Sequence, residues 1–288
     1  GDFDVLGLAD PTRPVTLVGY ERSEDHEKWS GVQVLGSRVA LYGEEGLELV
    51  RFTSEGPVAE ASWTRGRIGR VLSIAPLGEA LIVSGAGGLQ RLDPATGSLR
   101  RIMRRVVLSV AAAADEVLVF ADGESVYVSD LELLGQNRVI AQMKLGKTFG
   151  PDHVRVLDDT AIVTGPGGVL VIDLADPRSP QALAKLSTRE VGEISDATRV
   201  RGRIFLVGQR GLQLLDRSLR RVEETIDVGE RRRVAVMGRH LVTADPAGLQ
   251  VVDATPWAEA GSVSRMDEPL PASAEASRER SSLDGSDR

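Results

Sequence analysis

Short runs of bulky apolar residues alternate along this chain with glycine-rich turns, and the alternation repeats. The clearest copies read ALIVSGAGGLQRLD (residues 80–93), AIVTGPGGVLVID (161–173), IFLVGQRGLQLLD (204–216) and LVTADPAGLQVVD (241–253). RVALYGEEGLELV (38–50) is a fifth copy and VLVFADGESVYVSD (117–130) a looser sixth. In each, the first run is short and rich in β-branched or bulky residues, which predicts a strand. The second is nearly continuous in apolar residues, as from Val169 to Ile172, which predicts a strand covered on both faces. The glycines between the runs supply the positive φ that tight hairpins need.

Measured from the residue after the hairpin glycine or its equivalent, the copies fall at Leu47, Leu89, Val126, Val169, Leu212 and Leu249. The spacings are 42, 37, 43, 43 and 37, averaging about 40. Several short strands per unit at that period predict propeller blades. Each unit offers an inner strand before the hairpin (32–35, 71–74, 107–110, 154–157, 197–200 and 234–237). An outer strand follows it, as at 138–145, 181–186 and 222–228. The expected fold is therefore all-β, with four antiparallel strands per blade. The blades are expected at 28–63, 68–103, 106–145, 153–186, 196–228 and 232–263.

The start of the chain repeats the end of a blade. DVLGLADPTRP (4–14) parallels LVIDLADPRSP (170–180). Residues 1–20 thus read as the third and fourth strands of a blade whose first two lie upstream or come from elsewhere. This predicts seven blades over residues 1–263, with a six-bladed ring closed or covered by residues 1–20 as the alternative. Residues 264–288 are rich in Ser, Glu, Arg and Pro and read as a disordered tail.

At GGVLVIDLADPRSP (167–180) the chain resembles the LVIVD-repeat propeller family, in which an aliphatic strand ends in Asp and a D-P-x-x-P turn leads outward. VLGLADPTRP (5–14) is a second match and GLQVVDATP (248–256) a partial one, while GLQRLDPATGSL (88–99) resembles the related YVTN and quinoprotein-like propellers. The resemblance covers residues 4–263. It implies a propeller of a largely bacterial and exported family, mostly without assigned catalysis, and says almost nothing of activity. Two units depart from the pattern: residues 126–130 lack the preceding Gly-Gly, and the turn after Asp216 lacks the proline.

Composition narrows the function classes. A net charge of −7 argues against nucleic acid as a partner, because phosphate binding needs a cationic surface. Aromatic residues are only 4% of the chain, too few for a sugar cleft lined with rings. Without cysteine there is no disulfide, thiol nucleophile or thiolate metal site. No apolar run is long enough to insert into a membrane. Cations are almost all arginine, 31 against four lysines, and they cluster near residues 65–70, 100–105 and 231–233, with acids gathered in 21–60.

The aspartates Asp93, Asp173, Asp216 and Asp253 recur at one blade position, which spreads them around a ring. A catalytic pair would converge, so these read as turn residues that accept backbone N–H bonds. Asp173 with Asp176 lacks the further oxygen ligands calcium needs. GAGG (85–88) and GPGG (165–168) lack the lysine of a P-loop and the helix of a dinucleotide site. His26, His153 and His240 fall in different layers of the repeat and predict no shared metal. No serine stands in a nucleophile elbow.

The residues left for binding are those at the inner-strand starts, where propellers line a channel: Trp29, Arg70, Arg105, His153, Asp196 and Arg232. Such a rim could take an anion or a peptide carboxylate, or serve only as interblade ion pairs. The sequence thus predicts a non-catalytic propeller without cofactor or metal. It would present its faces to other proteins as part of a larger extracytoplasmic assembly, with the arginine-rich loops and the acidic 21–60 sector as docking patches. The alternatives are a lactonase- or quinoprotein-type enzyme at the channel mouth and an anion or peptide sensor.

Overall fold

The computed structural model describes residues 3–7, 15–20, 29–113, 116–245 and 248–257. A first hairpin pairs β1 (Phe3–Gly7) with β2 (Val15–Tyr20) as a two-stranded sheet. Six further antiparallel sheets follow in chain order among the described residues. Blade 1 is β3 (Trp29–Leu35), β4 (Arg38–Gly43), β5 (Gly46–Thr53) and β6 (Gly56–Thr64). The helical turn α1 (Arg65–Ile68) leads into blade 2, made of β7 (Val71–Leu77), β8 (Ala80–Gly85), β9 (Gly88–Leu92) and β10 (Leu99–Met103). Blade 3 holds β11 (Ser109–Ala112), β12 (Val117–Ala121), β13 (Ser125–Asp130), α2 (Leu131–Gly135) and β14 (Ala141–Lys144).

Blade 4 is β15 (His153–Leu157), β16 (Thr160–Gly165), β17 (Gly168–Asp173) and β18 (Gln181–Ser187). After α3 (Thr188–Val191), blade 5 is β19 (Ile194–Val200), β20 (Arg203–Gly208), β21 (Gly211–Leu215) and β22 (Val222–Ile226). Blade 6 has three strands, β23 (Arg233–Met237), β24 (His240–Asp245) and β25 (Gly248–Asp253). The molecule is thus a six-bladed propeller, the alternative reading of the repeat. Of the seventh blade expected from the sequence, the described residues hold only β1 and β2. The expected outer strand of blade 6 and the tail at 264–288 lie outside the described residues.

Apolar continuity translates into two-sided burial. Every residue of β8, β12, β16, β20 and β21 is buried, because each blade is sandwiched by its neighbours. Five core clusters result, one at each junction from blades 1–2 to blades 5–6. The hairpin glycines are obligatory at the sheet edge. Gly168 has φ +124° and a Cβ there would stand 2.1 Å from the Leu186 carbonyl oxygen, so both backbone strain and clash exclude a side chain.

Two glutamines at equivalent positions lock blades in sequence. Gln90 Nε2 donates to the Ile68 carbonyl at 2.7 Å and Gln213 Nε2 to the Val191 carbonyl at 2.5 Å. Each thereby caps the last turn of α1 or α3, whose C-terminal carbonyls have no helical partner.

Candidate functional site

A cavity of about 760 Å³ runs down the axis, lined by the inner strands of all six blades. One position per blade organises it. Gly31, Ser73, Ser109, His153, Asp196 and Arg233 each pair with the second strand of their blade just before the hairpin turn, opposite Tyr42, Ser84, Ala121, Thr164, Val207 and Ala244. The backbone is repetitive there and the side chains are not.

Most of these side chains reach the next blade. Val110 N–H donates to Ser73 Oγ at 3.4 Å, and that hydroxyl donates to the Val110 carbonyl at 3.2 Å. Ser109 Oγ accepts from Val154 N–H at 3.0 Å, and Asp196 Oδ2 from Val234 N–H at 3.1 Å. The ring position thus stitches blade 2 to 3, 3 to 4 and 5 to 6, and Arg155 joins blade 4 to 5 through Asp196.

Asp196 is the centre of charge. It is fully buried, and its Oδ1 also accepts from its neighbour Ala197 N–H at 2.9 Å. Arg155, two residues beyond His153 and so on the same strand face, donates Nε to Oδ1 at 2.8 Å and Nη2 to Oδ2 at 3.3 Å. His153 Nε2 lies 3.8 Å from Oδ1, close enough for attraction when protonated and too far for a hydrogen bond. Burial alone would raise the Asp196 pKa. His153 and Arg155 outweigh it and hold the carboxyl well below the usual range, since a nearby cation favours the carboxylate. Burial raises the Tyr42 hydroxyl, against the pull of Arg233 and Arg155, so it stays a neutral donor.

Of the residues expected at the channel, the structure brings together Trp29, His153 and Asp196, which all line the cavity. The three arginines do not join them. Arg70 pairs with Glu44 at 3.0 Å. Arg105 pairs with Asp122 at 2.8 Å, its guanidinium also against the Tyr127 hydroxyl. Arg232 is exposed one residue before the ring position. Arg70, Arg105 and Arg232 are not among the residues lining the cavity, whose guanidiniums are those of Arg155 and Arg233. Arg232 is one residue from the ring position and so on the opposite strand face, while Arg70 and Arg105 precede Ser73 and Ser109 by three and four residues. The signal was present in the hairpin register, counted back from the turn glycine instead of forward from the first strand residue.

The repeated aspartates are turn residues. Asp93 accepts from Ala95 N–H, Asp173 from Ala175 N–H, Asp216 from Arg220 N–H and Asp253 from Thr255 N–H, at 2.8 to 2.9 Å. Hydrogen bonds from Thr96 and from Thr255 hold the Asp93 and Asp253 carboxyls below their ordinary range. Among the described residues no group of three or more His, Cys, Asp or Glu could hold a metal ion, and no helix is long and apolar enough to cross a membrane. His26 lies outside the described residues.

The ring faces an unequal pair at its last junction. Val32 and Val34 are on the side of β3 turned away from blade 2 and are 56% and 66% exposed. On blade 6 the side turned away from blade 5 carries Ala235, Val242 and Leu249, the last 43% exposed. All but Val34 line the cavity, so the cavity extends between these two sheets.

No protein-family model and no curated protein matches this sequence. Solved structures share the fold. A structure of the mitotic checkpoint complex contains a chain 13% identical, at TM-score 0.64, over 85% of this chain and 81% of that one. PorZ, a bacterial surface component of the type-IX secretion system of Porphyromonas gingivalis, is 14% identical at TM-score 0.56 over 78% of this chain. This chain spans only 31% of the PorZ chain. BamB from Moraxella catarrhalis is 14% identical at TM-score 0.52, over 76% and 70% of the two chains. At such identities the likeness speaks for the β-propeller fold and no further.

Proposed function

We propose that this protein is a non-catalytic propeller scaffold that binds another protein through the sector between blades 1 and 6. The carrying observation is a mismatch between sequence and burial. The strands β24 and β25 have apolar residues for both faces, Leu241 and Val252 on one, Val242, Leu249 and Val251 on the other. Only the first face is packed into a core cluster among the described residues. Apolar sheet faces left open in this way mark interaction sites, and the occupant that fits two facing sheets is a strand or hairpin of a protein partner.

Propellers as assembly parts support the reading, since PorZ belongs to a secretion system and the checkpoint chain to a complex. The D-P-x-x-P motifs that begin at Asp10 and Asp176 suit an extracytoplasmic LVIVD-type propeller. The repeated aspartates, each engaged by its own turn, supply no converging acid–base pair, which also favours a scaffold over a lactonase-type enzyme.

The test is photo-crosslinking in native cells from position 34 or 249, with Arg178 on the outer rim as control. One protein captured at both sector positions and not at Arg178, and then reconstituted as a purified complex that Val34→Asp weakens, is the expected result. Equal capture at all three positions, or turnover of a lactone or alcohol by the partner-free protein, would overturn the scaffold.

A further inference from the structure

The ring position breaks its own rule at the junction between blades 6 and 1. At the junctions after blades 2, 3 and 5, the side chain of one blade bonds the backbone of the next. At blade 6 that side chain is Arg233, and the equivalent of the bonded residues Val110, Val154 and Val234 on blade 1 is Val32, next to Gly31. A Cβ on Gly31 would stand 2.3 Å from the Tyr42 ring, so the glycine exists to let that ring cross the inner strand beside the cavity. The junction therefore presents a guanidinium and a phenol where those three present a closed hydrogen bond.

Charge does not balance there. Arg155 is neutralised by Asp196. Arg233 donates only to the Ser195 and Arg232 carbonyls, both at 3.3 Å, and no carboxylate pairs with it among the described residues. The surrounding wall is apolar, with Val32, Leu41, Ile74, Val110, Val242 and Leu249. Arg233 is exposed at the cavity wall and has no counter-ion among the described residues, so its planar guanidinium is free to take a carboxylate in a bidentate contact. Guanidinium and phenol donors suit a carboxylate. Apolar walls with a few convergent polar groups suit an apolar body attached to it.

We propose that the axial cavity binds a carboxylate with an apolar body, its oxygens on Arg233 and the Tyr42 hydroxyl and its apolar part between the facing sheets of blades 1 and 6. Arg155, neutralised by Asp196, leaves Arg233 as the guanidinium open to the ligand. Both a free aliphatic acid and the C-terminus of an apolar peptide carry this chemistry. Its apolar part lies in the same space between blades 1 and 6 that the scaffold reading gives to a partner strand, while the carboxylate contacts at Arg233 and Tyr42 are tested here without any partner.

Calorimetric titration of the whole protein tests it with four probes: octanoate, octanamide, inorganic phosphate, and an acetylated Ala-Leu-Phe peptide as free acid or amide. Octanoate or the free-acid peptide is expected to bind at one site, with the tighter of the two identifying the source. Arg233→Gln is expected to weaken that binding about tenfold or more, the worth of a charged hydrogen bond. It should leave the melting temperature nearly unchanged, since Arg233 bonds only two carbonyls. Tyr42→Phe should weaken binding less, and Arg232→Gln, off the cavity, not at all. Absence of binding by both acids would overturn the proposal. So would octanamide or phosphate matching octanoate, or full affinity in Arg233→Gln.

Discussion

Blade 6 has two sides, and they differ more than any two parts of the ring. Toward blade 5 it offers Val234, Leu241 and Val252 to a core that includes Phe205, with Trp257 edge-on to that ring at 5.9 Å. The polar seam above that core is Asp196, bonded to Val234 N–H. Toward blade 1 it offers Ala235, Val242 and Leu249 to a cavity, and its seam is Arg233 with no carboxylate. The strands are the same strands, with apolar residues on both faces. What differs is whether a neighbour covers them. Sealing in this fold is thus a property of each junction and not of the blade.

The comparison is broken most severely at its seam. Asp196→Ala leaves the Val234 and Ala197 amides and the half-exposed Arg155 without their acceptor, and stranding several donors at once costs about 3 kcal/mol or more. Denaturant unfolding should show that loss, whereas Arg233→Gln should stay within about 0.5 kcal/mol of the wild type. A wild-type-like midpoint for Asp196→Ala would mean the two seams are equivalent after all.

The two leucines of blade 6 give a matched pair. Leu241→Ala opens the sealed core and is expected to cost about 2–5 kcal/mol. Leu249→Ala, on the open face, should cost under about 1 kcal/mol. Equal losses would show that the face toward blade 1 is packed in solution.

A single hydrogen bond comes next. Ser109→Ala strands the Val154 amide at the blade 3–4 junction, at a cost of about 1–3 kcal/mol. Val34→Thr, exposed at the open junction, should change stability by less than about 0.5 kcal/mol. Thermal melts of the two variants compare them directly.

Acid sharpens the contrast in a way substitution does not. The Asp196 carboxyl is depressed in the folded state, so between its folded and unfolded values the unfolded chain holds the extra proton and stability rises with pH. Its contribution is complete above the unfolded value of about 3.9 and is lost as pH falls below it. Asp196→Asn should flatten stability against pH below about 4 relative to the wild type. A wild-type slope in that variant would assign the acid sensitivity to other carboxylates.

Much of this was legible in the chain. The turn aspartates could be read because their partners lie two to four residues away, as with Asp93 and Ala95 or Asp216 and Arg220. The strands and their hairpins could be read because apolar runs and turn glycines are local signals. The channel was read only in part. His153 and Asp196 line the cavity, whereas in the blades of Arg70, Arg105 and Arg232 the residues at the ring position are Ser73, Ser109 and Arg233. Strand starts are soft boundaries, and one residue of error exchanges the faces. Tyr42 gave no signal at all, because its place at the channel depends on the missing side chain of Gly31 on the next strand.

By itself the sequence determined a ring of four-stranded blades with glycine hairpins and aspartate turns, because each of those rests on interactions within about 40 residues. Only the tertiary structure decided that the described ring has six blades. It also decided which side chains face the axis, and that among the described residues no core cluster joins blades 6 and 1 and no carboxylate pairs with Arg233. Those are relations between strands from different repeats, fixed by register and by what packs beside each blade, and no single repeat encodes them.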